Sequence, residues 1–119
     1  MKHGSNIIKR ELETVSPDEP YSTIMGFKAR TLPALFLERC QRTPESVAFL
    51  EKDLGIYKPT TWKEYLEHVR NFCLGLLELG LEPGDKVAIM GDPCPGWVYA
   101  DIAAQAAGGI TYGVYPTSA

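Results

Sequence analysis

The chain has 119 residues, 45% of them apolar and 23% charged, which is enough to build one core and excludes an intrinsically disordered segment. A formal net charge of -3 gives no attraction to phosphate backbones or anionic lipid, so neither nucleic acid nor an anionic membrane surface is expected as a partner. The three cysteines, Cys40, Cys73 and Cys94, are odd in number and widely spaced, which fits neither a disulfide framework nor a zinc site and suggests the cytoplasm.

Met1 to Glu11 holds Lys2, His3, Lys9, Arg10 and Glu11 without an apolar stretch, so no secretory leader is expected, and no apolar run approaches a bilayer span. Residues 1–30 read as a lead-in segment. Ser16-Pro17-Asp18-Glu19-Pro20 opposes helix and sheet, and Tyr21, Ile24, Met25 and Phe27 could dock onto a body further along.

The ordered pattern begins at Thr31. Thr31 can cap a helix, Pro33 suits a first turn, and Leu32, Leu35, Phe36, Arg39 and Cys40 recur at helical spacing until Pro44. Val47–Leu50 and Ile56–Lys58, the latter extending toward Thr61, read as two strands of a hairpin across Asp53-Leu54-Gly55. Thr61-Trp62-Lys63-Glu64 is a capping box, in which the hydroxyl and the carboxylate each satisfy an orphan amide. Trp62, Tyr65, Leu66, Val69, Phe72, Cys73, Leu76 and Leu77 then form one apolar stripe, ended by Gly80.

Pro83-Gly84-Asp85 reads as a turn. Lys86–Met90 reads as a short apolar strand of the kind buried on both faces of a parallel sheet. Gly91–Gly96 is a loop, Trp97–Ala107 a helix apolar almost all round and so expected to be buried, Gly108-Gly109 its stop, and Ile110–Tyr115 a second apolar strand. The second half is therefore one parallel β-α-β unit, expected to be right-handed. The fold class is α/β. A core strand lies so near Ala119 that residues 31–119 are expected to be an incomplete domain.

The residues that could carry chemistry do not assemble into a reaction. There is no G-x-x-x-x-G-K-S/T and no G-x-G-x-x-G after a strand, and Gly108-Gly109 precedes a strand instead of opening a helix. His3 lies in the lead-in, and His68 falls on the polar side of its helix. No metal-ligand pair is present. Cys94, near a helix start, could be an acidic thiol, but it has no neighbouring cysteine and no evident base. Glu64 caps a helix, Glu67, Glu78 and Glu82 suit a solvated face, and Ser118 has no accompanying base. No catalytic, cofactor-binding or metal-binding residue is assigned.

Five segments in order give more. Thr31-Leu-Pro-Ala-Leu-Phe, Pro44-Glu-Ser-Val-Ala-Phe, Thr60-Thr-Trp-Lys-Glu-Tyr, Gly75-Leu-Leu-Glu-Leu-Gly-Leu-Glu-Pro-Gly-Asp-Lys-Val-Ala-Ile-Met and Ala104-Gln-Ala-Ala-Gly-Gly-Ile-Thr-Tyr-Gly-Val-Tyr-Pro-Thr-Ser-Ala together resemble the amino-terminal region of the adenylate-forming, or AMP-binding, superfamily. The ending is most similar to bacterial long-chain fatty acyl-CoA synthetases. Asp92-Pro93-Cys94-Pro95-Gly96-Trp97 departs from the pattern, since similar proteins often carry Asn-Arg before the proline and Glu-Trp after it.

The resemblance implies a parent enzyme that joins a fatty acid to ATP as an acyl-adenylate with release of pyrophosphate, then transfers the acyl group to coenzyme A with release of AMP. Magnesium would offset phosphate charge. The phosphate loop, adenine-site and hinge motifs and lid domain of that family are not in this sequence. The resemblance therefore implies a scaffold that binds no ATP, magnesium or coenzyme A itself, has the remainder of the enzyme as its partner, is inactive alone and self-associates through uncovered apolar surface. The alternatives are a stand-alone α/β binding or interaction module, and a small redox protein using Cys94.

Overall fold

The computed structural model describes Ala29 and residues 31–117; the expectations for the lead-in and for Ser118 lie outside the described residues. Among the described residues, three helices and four strands follow in the order α1 (Leu32–Arg42), β1 (Val47–Asp53), β2 (Ile56–Thr61), α2 (Trp62–Glu78), β3 (Lys86–Met90), α3 (Pro95–Ala106) and β4 (Ile110–Val114). β1 and β2 pair antiparallel, and β3 and β4 pair parallel around α3. The α/β class with a hairpin and a parallel β-α-β unit is thus observed.

Local chemistry explains the element boundaries. The Thr31 hydroxyl accepts from the Ala34 amide at 3.3 Å and starts α1. At the start of α2 the usual orphan donors are nearly all engaged. Trp62 N–H donates to the Ser46 carbonyl at 3.0 Å, Lys63 N–H to the Pro44 carbonyl at 2.9 Å and Glu64 N–H to the Thr61 hydroxyl at 3.2 Å. The Glu64 carboxylate accepts from Thr61 N–H at 2.8 Å, completing the capping box.

Both α2 and α3 end in the same paired bonds. Gly80 and Leu81 donate to Leu77 and Leu76, and Gly108 and Gly109 donate to Gln105 and Ala104, which satisfies the last carbonyls of each helix. Gly108 is required on two grounds. Its φ is +89°, and a Cβ would lie 3.3 Å from Pro83. The Glu82–Asp85 turn packs there, with Gly84 N–H donating to the Gly108 carbonyl at 2.8 Å and Ile110 N–H to the Asp85 carbonyl at 2.7 Å. These bonds hold the amino-terminal ends of β3 and β4 together.

α3 is the central element, packing on α1 and α2 and on the two parallel strands. Phe36, Cys40, Val69, Tyr99 and Ala103 form the buried core, bordered by Phe49, Trp62, Tyr65, Leu66, Cys73, Leu76 and Ile102. Its rings meet edge to face, Phe36 on Tyr65 at 4.7 Å and Phe49 on Tyr65 at 5.4 Å between centroids. On the sheet side, the Thr111 hydroxyl donates to the Asp101 carboxylate at 2.6 Å, and Gln105 donates to the same oxygen at 3.1 Å.

Four expectations need correction. Phe72 and Leu77 flank the α2 stripe and stay exposed, because the neighbours of α2 cover only its centre. α3 begins at Pro95, two residues before the expected start, since proline is suited to a first helical position. It is buried at Tyr99, Ala103 and Ala104 only. Strand β3 is not buried on both faces. The register places Val87, Ile89, Thr111 and Gly113 on the face toward α3, and Ala88, Met90, Ile110, Tyr112 and Val114 on the other. That second face is open among the described residues, with Met90 70% and Tyr112 51% exposed.

Candidate functional site

In an open parallel sheet, the connections leaving the carboxyl ends of the strands diverge and leave a crevice, the usual place for a ligand. This chain has such a crevice. After β3 the backbone runs through Gly91–Cys94 into α3; after β4 it runs through Tyr115–Thr117. Between them, against the first turn of α3, lies an open cleft of about 660 Å³ lined chiefly by Pro93, Cys94, Trp97, Val98, Val114 and Tyr115. Its floor depends on Gly113, where a Cβ would fall 3.1 Å from the Trp97 ring, so only glycine lets the indole lie against β4 without a shift. A second, shallower cleft of about 420 Å³ lies toward β1 and shares Pro93, Cys94 and Val98.

The lining decides what the cleft can do. Among the described residues it is mostly apolar and aromatic, with Asp92 as its one carboxylate and no lysine, arginine or histidine. Such a surface can hold an apolar or aromatic group. It does not fit the phosphates of ATP, which need cationic side chains or a cradle of amides. Among the described residues no three His, Cys, Asp or Glu side chains group as metal ligands. Cys94 is exposed at the rim and occupies the N-cap position of α3, but its side chain makes no capping bond and no base lines the cleft beside it.

The other residues considered from sequence lie elsewhere. Cys40 is buried in the core, where loss of hydration pushes its thiol up to about 11, the behaviour of an inert packing group. Cys73 is half-buried on α2. His68 is exposed, as its position on the helix suggested, yet its ring stacks on Tyr99 at 4.7 Å and 13°. Glu64 is held below the usual carboxylate range, first by the Thr61 amide and then by the Thr61 hydroxyl. Burial pushes Tyr65 up to about 12, with Asp101 adding to it. These shifts belong to a cap and a core, not to a catalytic pair.

The cleft residues were not expected from the sequence. Their signal was present all the same, as two proline-containing segments that each follow a parallel strand.

Fold and cleft together describe part of an open α/β domain with a crevice at the carboxyl ends of its parallel strands. The family follows from comparison: residues 36–119 match the AMP-binding enzymes, and the chain belongs to that family. It is 32% identical over 105 residues to the long-chain-fatty-acid–CoA ligase heimdall of Drosophila melanogaster, covering 85% of this chain and 15% of that protein. The long-chain-fatty-acid–CoA ligase FadD15 of Mycobacterium bovis is 31% identical over 85 residues, covering 71% of this chain and 14% of that protein. Among solved structures, the N-terminal subdomain of NpsA from Klebsiella oxytoca superposes with a TM-score of 0.69 at 25% identity, over 76% of this chain and 23% of that one. The likeness is therefore shared by animal and mycobacterial ligases, and the chain spans about 15% of the length of the curated relatives it matches.

Proposed function

We propose that residues 31–119 are the beginning of the large domain of a long-chain fatty acid–CoA ligase that works through an acyl-adenylate in the cytoplasm, with residues 1–30 as its lead-in. The observation that carries this reading is the 32% identity to a long-chain ligase over 85% of the chain. In this reading ATP, magnesium and coenzyme A are handled by the rest of the enzyme, because the described residues of the cleft include none of the cations that phosphates require. This stretch supplies scaffold and one apolar wall. Its partner is that remainder, which would cover the face bearing Met90 and Tyr112; alone, the chain would offer that face to other copies of itself.

A chimera tests this. Residues 31–117 would replace the matching stretch of the heimdall ligase, and pyrophosphate release would be followed with ATP, palmitate and coenzyme A. A working chimera beside an isolated chain that matches the no-enzyme blank is the expected result. A folded, soluble chimera without adenylation or thioester formation would overturn the proposal, as would turnover by the pure chain alone.

A further inference from the structure

We draw no further inference here: the strongest candidate, the apolar cleft between residues 91–94 and 115–117 with Cys94 at its rim, belongs to the site already described, and nothing in the structure shows what covers it.

Discussion

The aromatic core and the parallel strand pair are both apolar in sequence and are covered differently. In the first, α1, α2 and β1 close around Phe36, Cys40 and Val69, and Tyr99 of α3 completes the packing. In the second, β3 and β4 are as apolar as any core strand, but only Val87, Ile89, Thr111 and Gly113 face α3. Burial is thus a property of what packs against a residue. An apolar strand announces a demand for neighbours, and the structure shows on which face that demand is met.

The sharpest way to break this comparison is to truncate one large side chain in each region. Phe36→Ala removes a ring that contacts Trp62 and Tyr65 at the centre of the aromatic cluster. It should cost about 3–5 kcal/mol, the usual range for a buried phenylalanine. Met90→Ala, on the open face, should change stability by less than about 0.5 kcal/mol. Urea denaturation followed by circular dichroism measures both. Similar costs at the two positions would mean that the open face is covered in solution.

A smaller effect on folding, but a larger one on association, is expected at Tyr112. Its ring sits on the open face beside Ile110 and Val114, on a strand with neither charge nor proline to discourage pairing. Tyr112→Lys should leave stability within about 0.5 kcal/mol of wild type and shift light scattering at high protein concentration toward monomer. Unchanged association would remove this face from the account of how copies meet.

Legibility in the sequence followed the range of the interaction. The capping box, the Gly80 and Gly108 helix stops and the hairpin could be read because each is decided within a few residues. Burial could not. Phe72 and Leu77 share the α2 stripe with Val69, and only the placement of α1 and α3 decides which of them is covered. The cleft was hidden for the same reason, since Pro93 and Tyr115 are brought together by a parallel pairing whose register no local pattern contains. Leu54 was read simply as part of a turn, and its exposure emerged only when the strands were seen to run on to Asp53 and Ile56.

The smallest effect lies at the start of α2 and concerns pH. Glu64 accepts from the Thr61 amide at 2.8 Å and from the Thr61 hydroxyl at 3.0 Å, and these bonds lower its pKa in the folded chain from the ordinary 4.5. A carboxylate at the first turn of a helix is also favoured by the aligned peptide dipoles. Because the folded pKa lies below the unfolded one, the stabilisation is complete above about pH 4.5 and disappears as pH falls through the folded value. Glu64→Gln keeps an oxygen that can accept the Thr61 amide but does not titrate. Wild type should therefore be slightly more stable than Glu64→Gln at pH 7, and the two should converge in acid. A set of urea titrations from pH 7 to pH 3 would show it. A gap that stays constant across that range would mean that the charge of Glu64 contributes nothing and the box acts through hydrogen-bond geometry alone.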